Sequence, residues 1–270
     1  MRERVALVTG AGGGIGRVTA RALAEAGFVV GLLGRTEATL AETKRLVEQA
    51  AARAVVAIAD VANPAEVGAA VRSIAQDAGE IAVLVNNAGS LRAIGPLWEV
   101  DADDWWADVM TSLAGAFNLC RAVLPGMIER GAGCIVNLTS YAAVRPAPYE
   151  TGYAAGKAAV ASLTESLASS LAEHGISAFS VAAGYTRTAM TDHLESSNAG
   201  RRWLPDAGTG RVVDPEQTAR LISLLAAGGA DALSGRFLHT LDEVEALLAN
   251  VEAIQRDELY APRIRRLPGR

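Results

Sequence analysis

Two side chains four residues apart, Tyr153 and Lys157, carry the clearest chemical signal in the sequence. They begin an apolar helical pattern, so both project from one face of the predicted helix. A phenol titrates near ~10, and an ammonium a few ångströms away stabilises the phenolate and lowers that pKa. Tyr153 is therefore predicted to act as a general acid or base. The alternative is a chance pair on a helix surface.

A glycine-rich loop, Gly10-Ala11-Gly12-Gly13-Gly14-Ile15-Gly16, follows the first apolar run. Its pattern is G-x-x-x-G-x-G and not the common G-x-G-x-x-G. Glycine lets the backbone approach a pyrophosphate, and the following helix supplies free N–H groups and a positive dipole. The strand, loop and helix together predict a dinucleotide site rather than a plain turn.

The end of the second apolar run bears on which dinucleotide binds. A fold that prefers NAD places an acid there, which accepts a hydrogen bond from the ribose 2′-hydroxyl. Here Gly34 and Arg35 stand instead. A guanidinium suits a 2′-phosphate, so the sequence favours NADP, with NAD as the alternative. Arg35 could equally be a solvated surface residue.

Further motifs complete a family pattern. Asp60-Val61 and Asn86-Asn87-Ala88-Gly89 follow the third and fourth apolar runs, and Ser140 precedes Tyr153 by thirteen residues. With the glycine loop they resemble the classical short-chain dehydrogenase/reductases over residues 4 to about 240. The resemblance implies reversible hydride transfer between a nicotinamide and a secondary alcohol or ketone. It also implies that Ser140 holds the reacting oxygen, that Lys157 holds the nicotinamide ribose, and that the chain forms a homotetramer or homodimer.

The chain departs from the family pattern at three places. Ser112 stands where the family has an asparagine of the proton relay, so it is the fourth predicted catalytic residue, after Ser140, Tyr153 and Lys157. Ala183 replaces a proline, although Thr188 keeps the threonine expected near the nicotinamide amide. The chain also continues through 243–270, which predicts a helix near Glu243–Ile254 and a solvated basic tail. The arginines of this predicted segment are Arg256, Arg263, Arg265, Arg266 and Arg270. Cofactor contacts are predicted at Gly10, Gly12, Gly13, Gly14, Ile15, Gly16, Arg35, Asp60, Val61, Asn87, Ala88, Gly89, Tyr153, Lys157, Gly184, Thr186 and Thr188.

Short apolar runs alternate with helical patterns as far as residue 182. The runs are nearly continuous in Val, Ile and Leu, which is typical of parallel strands buried on both faces. Right-handed crossovers then give a doubly wound, Rossmann-type α/β sheet of about seven strands with helices on both faces, in a single domain over 1–270. The longest predicted helix is Asp104–Arg130, perturbed near Pro125. The predicted strands are Val5–Val8, Phe28–Leu33, Ala54–Ala59, Ile81–Val85, Cys134–Leu138, Ser177–Ala182 and Arg236–Leu238.

Residues 186–213 are polar, glycine-bearing and without clean periodicity, and are predicted to form a mobile substrate loop. A small-molecule alcohol or ketone is the expected partner. Four arginines near the pocket either clamp an anionic substrate or, as we prefer, belong to the loop surface. Trp98, Trp105 and Trp106 are interpreted as packing residues. The four arginines are Arg145, Arg187, Arg201 and Arg202.

Composition excludes several functions. A balance of 25 basic against 30 acidic side chains is unfavourable for binding nucleic acid. Cys120 and Cys134 lack the neighbouring ligands of a zinc site, so no metal is predicted, and both are interpreted as buried thiols. With no secretory leader pattern and no long apolar stretch, the protein is expected to be cytoplasmic and not in a membrane. Two rival functions remain: a cofactor-binding regulator or sensor with weak or no catalysis, and a methyltransferase, which leaves the Ser, Tyr and Lys set unexplained.

Overall fold

The computed structural model describes residues 4–264. Seven strands form one sheet in which every adjacent pair is parallel. The strands are β1 Val5–Thr9, β2 Val29–Gly34, β3 Ala54–Ile58, β4 Ile81–Asn86, β5 Gly133–Thr139, β6 Ile176–Ala182 and β7 Phe237–His239. Their order is β3-β2-β1-β4-β5-β6-β7, so the direction of winding reverses between β1 and β4. The predicted doubly wound parallel sheet is confirmed.

Helices cover both faces of this sheet. Val, Ile and Leu side chains of the central strands point alternately into two apolar cores. One core includes Leu23 and Ile222, and the other includes Leu119 and Met127. The helices are α1 Gly14–Glu25, α2 Glu37–Gln49, α3 Pro64–Ala78, α4 Ala102–Val109, α5 Gly115–Arg130, α6 Thr151–Leu171, α7 Ala189–Ser196, α8 Asn198–Trp203, α9 Pro215–Ala226, α10 Val244–Ala249 and α11 Val251–Arg256.

The irregularity in the long helix lies elsewhere than predicted. Pro125 is inside α5 and does not end it. A proline removes a single main-chain hydrogen bond, and the buried Val123 and Met127 on either side keep the helix packed. Instead, one wide π-helical turn, Met110–Ala114, joins α4 to α5. Such turns in α-helices are frequent at functional sites.

The segment after β6 contains two helices that its sequence did not predict. Thr188 caps α7 through a reciprocal pair of hydrogen bonds with Thr191, and Ser197 caps α8. The two ends of the segment meet, because the Val213 N–H donates to the Tyr185 carbonyl oxygen at 2.7 Å. The insertion is thus closed at its base. The mobility of residues 186–213 stays a prediction.

The C-terminal segment folds back along the sheet edge. The Phe237 N–H donates to the Tyr260 carbonyl oxygen at 2.7 Å, and Arg263 forms ion pairs with Glu165 and Glu258. The prediction of a solvated tail is therefore wrong for Arg263, and the single helix predicted near 243–254 is two short helices. The predicted tail residues Arg265, Arg266 and Arg270 lie outside the described residues. Within 4–264, no helix combines the length and apolarity that crossing a membrane requires.

Candidate active site

The reversal of winding between β1 and β4 creates the crevice in which this fold binds ligands. Gly10 follows β1 with a φ of 63°, a left-handed conformation that favours glycine. The side-chain amide of Asn87, which follows β4, donates to the carbonyl oxygens of Thr9 at 2.9 Å and Gly10 at 3.3 Å. The Thr9 hydroxyl accepts from the N–H groups of Asn87 and Ala88, both at 3.0 Å. These bonds fix the glycine loop against the end of β4.

The glycines of the loop have different structural roles. A Cβ at Gly16 would overlap the Gly10 carbonyl oxygen, and a Cβ at Gly12 would overlap the Thr39 hydroxyl, so both positions serve close packing. Gly13 precedes the first turn of α1, which holds no acidic side chain, and has open space around its Cβ position. The exposed N–H groups of that turn suit a pyrophosphate. The loop therefore fits the predicted dinucleotide.

One cleft of about 920 Å³ runs from this loop across the carboxyl ends of the strands. Its lining contains Ser140 and every predicted cofactor residue except Gly12 and Gly16. At the end beside β2, the Arg35 guanidinium is mostly exposed and lies 4.0 Å from Asp60. The cofactor residues in the lining are Gly10, Gly13, Gly14, Ile15, Arg35, Asp60, Val61, Asn87, Ala88, Gly89, Tyr153, Lys157, Gly184, Thr186 and Thr188.

Ser140, Tyr153 and Lys157 meet in the middle of this cleft. Tyr153 is hydrogen-bonded to Ser140, whose Oγ also accepts from the Ala142 N–H at 3.2 Å. The Lys157 Nζ lies 5.6 Å from the centre of the Tyr153 ring and donates to the Leu138 carbonyl oxygen at 2.7 Å. The structure thus brings Ser140, which follows β5, to the pair that Tyr153 and Lys157 form on α6.

The lowered pKa expected for Tyr153 beside an ammonium and a cationic nicotinamide does not arise from the protein alone. Burial raises the pKa of Tyr153 to about 12, although the hydrogen bond from Ser140 opposes this, and the carboxylates of Glu150 and Asp108 raise it further. Burial also lowers the pKa of Lys157 to about 8. The ammonium therefore does not by itself lower the tyrosine pKa in the protein alone, because the loss of water disfavours both charged groups.

Ser112 lies beneath the cleft rather than in it. It belongs to the wide turn Met110–Ala114, is 4% exposed, and its Oγ has no hydrogen-bond partner among the described residues. Ser112, Leu138 and Lys157 line a separate cavity of about 10 Å³. A cavity of ~10–15 Å³ holds one water, provided that polar groups surround it. The place is therefore suited to a single bridging water.

A chain of buried polar groups supports this region from below. The Asn86 side-chain amide donates to Asn137 Oδ1, and the Asn137 amide donates to Thr164 Oγ1, both at 2.8 Å. These bonds join β4, β5 and α6, so the helix that carries Tyr153 and Lys157 is fixed relative to the sheet.

Comparison with known proteins decides the family. The model of the short chain dehydrogenase family matches residues 4–199. The chain belongs to the short-chain dehydrogenase family. It is 33% identical over 237 residues to the 3-oxoacyl-[acyl-carrier-protein] reductase FabG of Chlamydia trachomatis, covering 87% of this chain and 95% of that protein. As the matched relatives indicate, it is an oxidoreductase that uses a nicotinamide cofactor to interconvert a secondary alcohol and a ketone.

Two solved structures extend the comparison. A gluconate 5-dehydrogenase from Burkholderia cenocepacia, in complex with NADP and tartrate, is 36% identical with a TM-score of 0.79, covering 88% of this chain and 94% of its own. An NAD⁺-bound xylitol dehydrogenase is 28% identical with a TM-score of 0.80, covering 88% and 97%. Members of this dehydrogenase fold thus bind either dinucleotide.

Residues that the sequence did not single out complete the short-chain dehydrogenase site. The fully buried Asp108 carboxylate accepts from Ser90 Oγ and from the N–H groups of Arg92 at 2.9 Å and Ala93 at 3.0 Å. It thereby holds the loop after β4 that forms one wall of the cleft. Glu150, in the cleft three residues before Tyr153, has its pKa raised by burial. The fold alone brings Asp108 beside the site, whereas Glu150 is near Tyr153 in the sequence and the fold decides its burial.

Apolar side chains form the wall opposite the glycine loop. Tyr149 and Trp203 face each other with ring centres 5.1 Å apart and planes inclined by 32°. The remaining apolar members of the wall are Leu91, Met190, Leu194 and Leu204.

The three tryptophans interpreted from the sequence as packing residues differ in their burial and contacts. Trp105 packs on α6 and donates to Thr151 Oγ1 at 3.0 Å. Trp98 is 85% exposed, so the packing interpretation is wrong for this residue. Trp106 is 57% exposed but packs edge-on against the Trp105 ring, with ring centres 4.9 Å apart.

Proposed function

We propose that the chain is an NADP(H)-preferring short-chain dehydrogenase in which Tyr153 is the general acid for ketone reduction and the general base for alcohol oxidation. The observation that carries this proposal is the meeting of Ser140 and Tyr153 in one cleft with Lys157 beneath them. The two hydroxyls can both hydrogen-bond one substrate oxygen. The nicotinamide, when bound, supplies or accepts the hydride.

The surrounding residues hold and move the proton. Ser140 orients the substrate oxygen toward the Tyr153 hydroxyl, which donates its proton as the oxygen gains charge. Lys157 is held by the Leu138 carbonyl oxygen, and its remaining N–H groups are free to bind a ribose hydroxyl or a water. A water in the cavity beside Ser112 would connect this lysine to the wide turn. The phenol that burial keeps protonated is the form that reduction requires.

The NADP preference rests on Arg35. Its guanidinium is mostly exposed at the end of the cleft beside β2. Its separation of 4.0 Å from the Asp60 carboxylate is longer than a hydrogen bond, so its N–H groups can bind a 2′-phosphate. The NADP complex of the gluconate 5-dehydrogenase supports the preference, and the NAD⁺-bound xylitol dehydrogenase keeps NAD as the alternative.

Loss of the reduced cofactor's absorbance with a panel of ketones tests the proposal. Tyr153→Phe keeps the ring but removes the proton donor, so turnover should fall by ~10²–10⁴-fold while NADPH still binds. Tyr260→Phe, on the C-terminal segment, is the matched control and should retain activity. Near-normal turnover by Tyr153→Phe would remove Tyr153 from the mechanism.

Self-association is part of the proposal. Exposed apolar side chains run along the outer side of α4 and α5, at Trp106, Met110, Phe117 and Ile128. Such a stripe suits an interface between copies, and we propose a homotetramer or homodimer. Light scattering on the purified chain should give a mass of two or four chains, and Phe117→Glu should lower it. A monomer at micromolar concentration would contradict this part.

A cytoplasmic location completes the proposal. Cys120 and Cys134 are both free thiols and buried, which suits a reducing compartment. The proposed partners are the cofactor, a small alcohol or ketone and other copies of the chain, and neither nucleic acid nor a membrane is among them.

A further inference from the structure

The part of the cleft lined by Tyr149, Glu150 and Trp203, here called the substrate half, has a flat apolar surface on one side. Tyr149 and Trp203 form an inclined aromatic pair, and Leu91 and Leu194 are each only 7% exposed beside them. Aromatic faces of this kind bind ring-shaped ligands by stacking and by burial of apolar area. Polyols or acyclic sugar acids would place hydroxyl groups against a wall that offers them few hydrogen-bonding partners.

Three of the four arginines that could recognise an anion lie outside the cleft, and all four make contacts with other groups of the protein. Arg187 pairs with Glu195 at 3.6 Å, and Arg201 donates to the Ser196 carbonyl oxygen and to Asn198. Arg202 stacks on the Trp203 ring at 4.4 Å, and Arg145 on the Tyr141 ring at 4.9 Å. Of these four, only Arg145 lines the cleft. The preferred interpretation as loop surface agrees with these contacts for Arg187, Arg201 and Arg202, whereas Arg145 lies in the cleft lining.

The substrate half contains acids in their place. Glu150 is partly buried in the cleft and has no hydrogen bond or ion pair through its carboxylate within the part of the chain that the structure describes. Asp206 lies at the rim of the same half. A carboxylate with little water around it repels a second anion more strongly than one in bulk solvent does. A carboxylate or phosphate placed next to Glu150 is therefore repelled, whereas a neutral group is not.

From the apolar wall, the position of three arginines outside the cleft and the unpaired Glu150, we infer that the substrate is an uncharged ketone or secondary alcohol bearing a flat ring. Glu150 is then a specificity-determining residue that excludes anionic substrates. This inference rests on the proposed function for the reacting group. It concerns the part of the substrate next to the carbonyl, which Tyr149, Glu150 and Trp203 would contact.

Two ketones of matched shape test the charge selection. We would measure dissociation constants of 4-acetylbenzamide and 4-acetylbenzoate by calorimetry at pH 8, with the enzyme saturated with NADP⁺ so that no turnover occurs. The wild type should bind the neutral amide at least tenfold more tightly than the anion. Glu150→Gln should strengthen binding of the anion about tenfold and bring the ratio near one. Glu252→Gln, on the exposed face of α11, should leave the ratio as in the wild type.

The ring selection has its own variant. Trp203→Ala should weaken binding of 4-acetylbenzamide about tenfold, whereas Trp98→Ala, at an exposed position outside the cleft, should not. Equal affinity for both ketones in the wild type, a ratio unmoved by Glu150→Gln, or failure to bind either ketone would each overturn the inference. Absence of NADPH oxidation with every ketone, together with the expected binding ratio, would instead contradict the proposed function and leave the substrate class standing.

Discussion

Replacing Ser112 with alanine separates a role in proton transfer from a role in packing. The Ser112 Oγ is buried without a protein partner and borders the same 10 Å³ cavity as Lys157. A buried hydroxyl without a hydrogen-bond partner contributes no hydrogen-bond energy to the folded state. If Ser112 serves only packing, removing its hydroxyl should therefore leave the free energy of unfolding unchanged or slightly higher. A hydroxyl that holds a water against Lys157 would instead contribute to turnover through the proton path.

The expected size of the effect is that of one hydrogen bond. Losing a bond of ~1–1.5 kcal/mol in the path that restores the tyrosine proton lowers kcat by about tenfold. KM and cofactor affinity should change little, because Ser112 does not line the main cleft. The melting temperature should stay the same or rise slightly, since no protein hydrogen bond is lost.

Steady-state kinetics over pH 6–10, with thermal unfolding of the same samples, provides the assay. Ser223→Ala is the matched control, because the Ser223 hydroxyl on α9 is also buried without a partner but lies away from both cavities. It should keep full activity. Ser112→Asn restores an amide at this position and should exceed Ser112→Ala in kcat if the small cavity admits it. An unchanged kcat and pH profile for Ser112→Ala would refute the relay and make Ser112 a packing residue.

Three further outcomes follow from the geometry. Lys157→Met removes an ammonium whose pKa burial lowers from 10.5 to about 8. That lowering corresponds to a destabilisation of about 3 kcal/mol, and losing the hydrogen bond to the Leu138 carbonyl offsets part of the gain. The cofactor-free variant should therefore be about 1–2 kcal/mol more stable than the wild type at pH 7. Between pH 8 and 10.5 the lysine is protonated in the unfolded chain but not in the folded one, so the free energy of unfolding of the wild type should rise with pH and approach that of the variant. Urea unfolding at several pH values measures this difference. A difference in unfolding free energy that does not change with pH would contradict the cost of burying the ammonium. Arg35→Ala should weaken NADPH by roughly 10- to 150-fold and NADH hardly at all, as measured by fluorescence titration, and equal weakening of both would remove Arg35 from 2′-phosphate recognition. Gly16→Ala should unfold at a lower temperature because the added Cβ would overlap the Gly10 carbonyl oxygen. Gly13→Ala, where the Cβ position is open, should keep its melting temperature and lose NADPH affinity. A loss of stability in Gly13→Ala together with a loss of NADPH affinity alone in Gly16→Ala would contradict these roles.

Local patterns were sufficient for the fold. Continuous apolar runs such as Val5–Thr9 and Ile176–Ala182 have no polar face, and only a sheet covered by helices on both sides can bury them. At the start of α9, Asp214 caps the helix and Pro215 occupies its first position, a local pattern that favours a helix N-terminus. By contrast, α7 and α8 have few apolar residues and depend on capping by Thr188 and Ser197 and on packing against the cleft, so periodicity did not reveal them.

For the site, the sequence determined residue types at fixed local spacing: the glycine loop before a helix, and Tyr153 and Lys157 one turn apart. The environment of these groups was decided by segments that are distant in the chain. Burial by the surrounding elements reverses the expected direction of the Tyr153 pKa, and the wide turn of the long helix brings Ser112 to the cavity below Lys157. Packing likewise brings Glu150 and Trp203 to one pocket and leaves Arg187, Arg201 and Arg202 outside it. Desolvation and charge depend on everything within several ångströms in space, which spacing along one chain does not encode.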